Sequence, residues 1–350
     1  MSAAPRPSQW YFTVRSKGSA CTSYLEALTQ YYMPSHIALS SSIKDEMVSF
    51  SEASKYALID ELLMFEITRV DSLEPMRFIN AFVNYKAIPT HLNAVRATCF
   101  FTLDESLLIL HGDSRVASFS DFMVTVPGFA AVLRRDMDGA ALAGMLDPRP
   151  VPAVTRLPQM MEKELSRGKF VLHRTMADHN FTSKMEHFCD GNNVSEDAVF
   201  TAIIAAVLKD MFELPRVPIN VVDDESIAEL SLRPGPVSVA SITALSRTAT
   251  KMLKVERKPA TIRIEVESGT AAVVRMLEST RSRAPVTDVY AGILVSGAIS
   301  ATLTRVDNNI YLSVASDVLS EEQAMALAKL TIDNAMGVFQ GSVGDIEGAL

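Results

Sequence analysis

The spacing of apolar residues in the first 150 positions alternates between helical and strand periods. Helical spacing over 52–70 predicts an amphipathic helix capped by Ser51; its apolar positions are Ala53, Tyr56, Ala57, Ile59, Leu62, Leu63 and Ile67. The segment 97–110 is apolar and predicts one or two buried strands, interrupted at 104–106. Helical spacing returns over 119–135, where Pro127 kinks or splits the helix.

The second half of the chain has clearer patterns. Residues 193–212 carry an acidic first turn and are then apolar on nearly every face, which predicts a central buried helix. Alternation over 262–267 predicts a half-buried strand, and 299–306 with 310–316 predict a hairpin around the turn 307–309. The capping-box spacing from Ser320 to Gln323 predicts that a helix closes the fold.

A cluster of prolines suggests how the chain is divided. Three prolines fall within 146–152, which favours an extended connector over a helix. The chain has 350 residues, 48% of them hydrophobic, which is enough material for two cores. We therefore expect two α/β lobes, 1–147 and 148–350.

Composition and charge exclude several classes of function. The net charge of −8 and the lack of a basic stripe argue against a nucleic-acid partner. Residues 1–9 lack the apolar core of a secretory signal, and no segment has the roughly 18–20 apolar residues of a spanning helix, so we expect a cytoplasmic protein without a membrane partner. Cys21, Cys99 and Cys189 indicate neither a disulfide framework nor a zinc knuckle. Glycine-rich phosphate loops are absent from the sequence.

The strongest catalytic candidate is His111, which follows the apolar run 107–110 and precedes a small, polar turn. A buried strand that ends in histidine is a suitable position for a general base. The ordinary imidazole pKa of about 6.5, together with burial, favours the neutral form near pH 7 that a base requires. Alternatively, with Asp113 two positions on, His111 is a hydrogen-bonded turn residue with no catalytic role.

Two other clusters are weaker candidates. In 186–191, His187, Cys189 and Asp190 lie close in sequence, but the segment precedes the predicted buried helix instead of following a clear strand. It is therefore interpreted as a solvated loop before the helix. Together with His173 and His179 they also lack a recognised metal-ligand spacing, and no metal is expected. The acidic run 223–225 follows a strand-like segment and is interpreted as solvated.

Several local motifs occur in a family-specific order. His111 aligns with the histidine of an HxxxDG motif, which places Arg115 on its Asp, Val116 on its Gly and Ser118 on the following small residue. Residues 194–200 resemble a "VT-x-x-D-x-L" helix entry, 288–292 keep the first and last residues of D-F-G-W-G, and 309–336 resemble a last strand, an "LS-x-E" turn and a final helix. In this order the chain resembles the chloramphenicol-acetyltransferase-like superfamily, which includes condensation domains, plant acyltransferases of the BAHD type and fungal acyltransferases.

The resemblance implies a two-lobed α/β fold, each lobe a mixed sheet flanked by helices, with a cleft or tunnel between the lobes. It implies transfer of an acyl group from a thioester to a hydroxyl or amine of a small molecule, with His111 as general base. Asp113, Ser114, Arg115 and Ser118 would contact substrate. The acyl donor would be acyl-CoA or an acyl carrier protein, with no bound cofactor.

The departures from the motif keep other functions open. The motif Asp is mainly structural in that family, and Arg115 reverses its charge, so the pairing must be rebuilt or abandoned. One alternative is therefore a diverged member that catalyses another reaction, such as a cyclisation, or binds a ligand. A further alternative is a non-enzymatic, oligomeric structural protein such as a viral coat or nucleoprotein component.

Overall fold

The computed structural model shows two compact units. The first comprises Ser8–Lys169 and Ser282–Ala291, and the second Met1–Pro7, Phe170–Arg281 and Gly292–Leu350. The structure describes 8–18, 41–44, 47–50, 66–84, 95–113, 169–223, 226–259, 269–280, 286–307 and 309–347. Each described unit is a mixed β-sheet with α-helix packed on it, as the sequence predicts.

The first unit contains a five-stranded sheet in the order β12-β1-β6-β5-β4. Its strands are β1 (Ser8–Lys17), β4 (Glu66–Arg69), β5 (Val95–Phe101), β6 (Glu105–Asp113) and β12 (Val286–Val295). The central strand β6 is antiparallel to both β1 and β5, and β4 is parallel to β5. A separate hairpin joins β2 (Ser41–Lys44) to β3 (Met47–Phe50).

One helix of this unit, α1 (Pro75–Asn84), lies on the sheet. Proline suits the first helical position because its missing N–H has no partner there. Phe78 and Phe82 are four residues apart and so share one face of the helix. The Phe78 ring contacts Phe100 of β5 with ring centroids 4.4 Å apart, which fixes the face of the sheet that α1 covers.

The second unit contains a seven-stranded sheet in the order β10-β9-β8-β11-β13-β14-β7. Its strands are β7 (Val171–Met176), β8 (Val217–Val222), β9 (Ser226–Leu232), β10 (Lys258–Pro259), β11 (Ala272–Thr280), β13 (Ile299–Val306) and β14 (Asn309–Ser316). The central strand β11 is parallel to β8 and β13, and the other pairs are antiparallel.

The described residues of this unit form four helices: α2 (Phe181–Asn192), α3 (Glu196–Phe212), α4 (Val239–Glu256) and α5 (Glu321–Glu347). They cover one face of the sheet with a large apolar core. The helix α3 is buried on every side from Ala198 to Leu208, as the sequence predicts. Ser195 caps it, with its Oγ accepting from the Ala198 N–H at 3.4 Å.

Several sequence predictions are confirmed. The hairpin β13–β14 turns at Asp307, which has φ 51°. The Ser320 Oγ accepts from the Gln323 N–H at 3.2 Å, while Gln323 Oε1 accepts from the Ser320 N–H at 2.9 Å, the reciprocal pair of a capping box. The apolar run 97–110 forms the two strands β5 and β6.

Part of the helix predicted over 52–70 is wrong, because Glu66–Arg69 is strand β4. Ile67 and Thr68 are β-branched and pair with Cys99 and Phe100, so sheet pairing overrides the helical spacing. The remainder of that segment, the helix predicted over 119–135, the strand over 262–267 and the predicted boundary at 147/148 lie outside the described residues. None of the helices that the structure describes is both long and apolar enough to cross a membrane.

Candidate functional site

His111 lies inside the central strand of the five-stranded sheet. The strand β6 continues through Gly112 to Asp113, two residues beyond the end that the sequence predicted at His111. Pairing with β1 on one side and β5 on the other explains the extra length, because it satisfies the backbone of these residues. The His111 side chain is only 2% exposed.

A hydrogen bond to Gln9 sets the proton position on the buried imidazole. The His111 Nε2–H donates to Gln9 Oε1 over 2.8 Å. An amide oxygen only accepts, so this contact keeps the proton on Nε2 and leaves the lone pair of the neutral ring on Nδ1. Gln9 can accept from this ring in both its neutral and its protonated state.

Among the described residues, two aromatic residues lie beside His111. Phe82 of α1 meets it edge-on, with ring centroids 6.3 Å apart. Tyr11 of β1 is the direct cross-strand partner of His111 and is also buried. Thr13, two residues along the same face, carries a buried hydroxyl with no hydrogen-bond partner among the described residues.

The residue opposite position 112 in β1 explains why this position is a glycine. Trp10 is the cross-strand partner of Gly112 and is fully buried. A methyl group added at Gly112 would overlap Cε2 and Cζ2 of the indole. The missing side chain therefore lets Trp10 lie flat on the strand directly behind the candidate base.

The structure places the predicted substrate contacts only in part. Asp113 is the last residue of β6, and its backbone pairs with Gln9 of β1. Ser114, Arg115, Val116 and Ser118 lie outside the described residues, and their roles stay predictions. The resemblance at 288–292 falls on β12, where Tyr290 is buried.

The interpretation of 186–191 as a loop is wrong, since these residues belong to α2. A helix separates residues two apart by about 200°, so exposed His187 and buried Cys189 point in opposite directions. Burial, reinforced by nearby carboxylates, raises the pKa of the Cys189 thiol to about 12. Cys189 is therefore a neutral core residue rather than a nucleophile.

We expect Cys189 to resist alkylation in the folded protein. With a pKa near 12 its thiolate fraction at pH 8 is about 1000-fold below that of an ordinary cysteine, so iodoacetamide should modify it at least 100-fold more slowly than in urea. Peptide-resolved mass spectrometry over a time course measures both rates. Equal rates in native and denatured protein would contradict the burial described here.

Asp223, the described residue of the acidic run 223–225, has a structural role. Asp223 accepts from the Ser226 N–H at 2.6 Å and forms an ion pair with Arg257 Nη1 at 2.5 Å. Arg257 also contacts Asp197 at the start of α3, at 3.0 Å. Asp224 and Glu225 lie outside the described residues. Within the part of the chain that the structure describes, no three His, Cys, Asp or Glu residues gather as metal ligands do.

A polar surface that the sequence analysis missed lies on the seven-stranded sheet, on the face opposite the apolar core. Cross-strand register puts Arg275, Thr302, Ser313 and Arg174 in one row over β11, β13, β14 and β7. We call these four residues the arginine–hydroxyl row. The period-2 alternation of Ser300, Thr302 and Thr304 with apolar residues was the available sequence signal.

Comparisons with known proteins identify the fold. No protein-family model and no curated protein sequence matches the chain. Polyketide synthase associated protein 5 from Mycobacterium tuberculosis aligns with a TM-score of 0.64 at 12% identity, covering 94% of each chain. The chain has the condensation-domain fold.

Two further solved structures carry that conclusion. The cyclization-docking bidomain of the EpoB nonribosomal peptide synthetase from Sorangium cellulosum aligns with a TM-score of 0.60 at 12% identity, covering 96% of this chain and 81% of that one. A condensation domain that mediates chain release from the enacyloxin polyketide synthase aligns at 0.55 and 17% identity, covering 93% and 77%. The resemblance inferred from the local motifs is therefore correct at the level of the fold.

Proposed function

We propose that this protein transfers an acyl group from a thioester, carried by CoA or by an acyl carrier protein, to a hydroxyl or amine of a small molecule. The observation that carries the proposal is the buried His111, held by Gln9 on the central strand of its sheet. The condensation-domain fold supports the reaction class, since the solved relatives are described as condensation and cyclization domains.

In the proposed reaction His111 is the general base. The Nδ1 lone pair takes the proton of the acceptor hydroxyl or amine while the acceptor oxygen or nitrogen attacks the thioester carbonyl. The tetrahedral intermediate then collapses, the C–S bond breaks, and the imidazolium returns its proton to the leaving thiolate. Gln9 accepts from Nε2–H throughout, so it keeps the ring oriented in both protonation states.

The substrate contacts belong to the same proposal. Asp113, Ser114, Arg115 and Ser118 follow His111 in sequence and would contact the acyl acceptor or the thioester arm. Alanine substitution at each of these four positions, followed by measurement of KM and kcat, tests them one at a time. A raised KM with unchanged kcat indicates a binding contact, and a lowered kcat indicates a group needed in the transition state.

The proposal is tested by acceptor-dependent thiol release. Purified protein is mixed with acyl-CoA thioesters or acyl-pantetheine donors and with alcohol and amine acceptors, and the freed thiol is measured together with the product mass. Release that requires both protein and acceptor supports the proposal. Release at the uncatalysed rate across donors that represent short, long and aromatic acyl groups contradicts it.

We expect Gln9→Glu to shift the pH dependence of turnover. A carboxylate in place of the amide stabilises the imidazolium, so the acid limb of the pH–rate profile should move upward by about one to three pH units. Activity at pH 7 would then fall and recover at higher pH. Gln323→Glu makes the same chemical change in the α5 capping box, where a carboxylate also accepts from the Ser320 N–H, and should leave the profile in place.

A second candidate function is a related reaction without acyl transfer. Arg115 and Val116 stand where the resembled motif has Asp and Gly, and the solved relatives include a cyclization domain and an epimerization domain. A cyclisation would release water or ring product without acceptor-dependent thiol. Product mass spectra from the thiol-release assay therefore distinguish this candidate from the first one.

A further inference from the structure

A cavity of about 540 Å³ lies between β7, at the edge of the seven-stranded sheet, and the helix α5. The strand contributes His173 and Thr175, which are two residues apart and so point to the same side. Met176 ends the strand and Asp178 follows it, and both also line the cavity. The volume is within the range of roughly 300–1000 Å³ that sites for small organic ligands have.

One side of α5 forms the opposite wall of this cavity. The five residues that it contributes are spaced as neighbours along one helical face: Met325, Lys329, Ile332, Asp333 and Met336. Both walls belong to the second unit, so the cavity is complete within that unit. We call the nine lining residues of the two walls the methionine cleft.

Two of the three methionines in the cleft are exposed. Met176 is 59% and Met325 49% exposed. Contact with a ligand would remove their apolar surface from water, which is favourable. The thioether side chain is also flexible and polarisable, so it adapts to the shape of a ligand and makes favourable contacts with aromatic rings. The methionines therefore suit the apolar part of a ligand.

The charged groups of the cleft favour a cation. Its two carboxylates, Asp178 and Asp333, accompany a single ammonium group, that of Lys329. Asp178 Oδ1 already accepts from the Asn180 N–H at 2.8 Å. Asp333 forms no hydrogen bond or ion pair within the part of the chain that the structure describes. Lys329 precedes Asp333 by four residues, which is the less favourable order for an ion pair on a helix, so the Asp333 carboxylate is left to pair with a ligand.

His173 adds no positive charge to the cleft. Burial lowers the pKa of its imidazole below the ordinary value, although the nearby Glu321 carboxylate opposes this shift. The ring is therefore neutral at pH 7, and its Nε2 lies 3.2 Å from the Thr175 hydroxyl oxygen. A cation in the cleft consequently meets no repulsion from the β7 wall.

We propose that the methionine cleft binds a small organic amine, with the ammonium group beside Asp333 and the apolar part against the methionines. An ammonium group donates charge-assisted hydrogen bonds to a carboxylate, and thioethers contact hydrocarbon and aromatic groups. This amine site goes beyond the proposed acyl transfer, because none of its residues takes part in that reaction. It would stand even if His111 had no catalytic role.

Isothermal titration calorimetry with four probes tests the amine site. Phenethylamine, phenethyl alcohol and hydrocinnamate share one aromatic body and carry an ammonium, a hydroxyl and a carboxylate group, while methylammonium carries the charge alone. Phenethylamine should bind at least about fivefold more tightly than each of the other three. Equal or tighter binding of any other probe, or no binding of phenethylamine up to about 10 mM, overturns the proposal.

Opposite charge changes on α5 show whether phenethylamine binds in the cleft. Asp333→Asn should weaken its binding about fivefold, whereas Lys329→Gln removes a like charge and should tighten its binding about twofold. Both residues are exposed, and a thermal melt of each variant checks that it is folded. Asp210→Asn changes an exposed carboxylate of α3 outside the cleft and is the matched control, with unchanged affinity. Unchanged phenethylamine binding by folded Asp333→Asn protein, or weaker binding by Lys329→Gln, overturns the proposal.

Discussion

Replacement of His111 by alanine is expected to lower kcat for acceptor-dependent thiol release by about 10²- to 10⁴-fold, the usual contribution of a general base. That loss corresponds to roughly 3–5 kcal/mol of transition-state stabilisation. The proton of the acceptor would then have no base to receive it, because the variant lacks the imidazole Nδ1 that the Gln9 contact to Nε2 orients. Initial rates at saturating donor, measured from pH 6 to pH 9, show the loss and its pH dependence.

Controls separate this loss from misfolding. His111 is buried, so a cavity at this position also reduces stability, and a thermal melt of each variant shows how much folded protein remains. His111→Asn fills more of the space but cannot act as a base, and its kcat should fall as far as that of His111→Ala. His187→Ala changes an exposed histidine of α2 and should retain full activity. Turnover that persists in folded His111→Asn protein would remove His111 from the mechanism.

Gly112→Ala is expected to destabilise the protein by about 1–3 kcal/mol, the cost of inserting a methyl group into a packed core. The new methyl would overlap the Trp10 indole, and Trp10 is buried too deeply to move without displacing its neighbours. Chemical denaturation followed by tryptophan fluorescence measures the change, since Trp10 is the single tryptophan of the chain. Activity should also fall, because displacement of β1 moves Gln9 away from His111.

The matched control is Gly191→Ala in α2. No atom lies within 4 Å of the position where its Cβ would be, and alanine favours helix. This variant should be more stable than the unsubstituted protein by about 0.5–1 kcal/mol. A Gly112→Ala variant as stable as Gly191→Ala would contradict the packing of Trp10 on Gly112.

Sequence patterns predicted the second unit better than the first. The helix α3, the hairpin β13–β14 and the capped start of α5 are local in sequence, and their signals are caps, period and turn residues. The strand β4 instead depends on a parallel partner about 30 residues away in β5, so local spacing gave the wrong element. The helix α1 was not anticipated, because its single apolar face is short.

The sequence was sufficient to select His111 as the candidate residue, but it did not predict which residues surround it. His111 stood out because it interrupts an apolar run, yet its hydrogen-bond partner Gln9 is 102 residues away in sequence. The sequence did not point to Arg275, because one arginine among apolar neighbours does not reveal which strands pair with its own strand. Only the register of β11, β13, β14 and β7 brings Arg275 and Arg174 into one row.

The strand β12 lies beside β1, although the two are separated by almost the whole chain. The Thr287 hydroxyl donates to the Arg15 carbonyl, a contact between residues 272 apart. At a translation rate of about 5–20 residues per second, β1 is synthesised roughly 15–50 s before its sheet neighbour β12. During that interval the edge of β1 that later pairs with β12 has no strand partner, so we expect the newly synthesised chain to be most prone to aggregation before β12 is made.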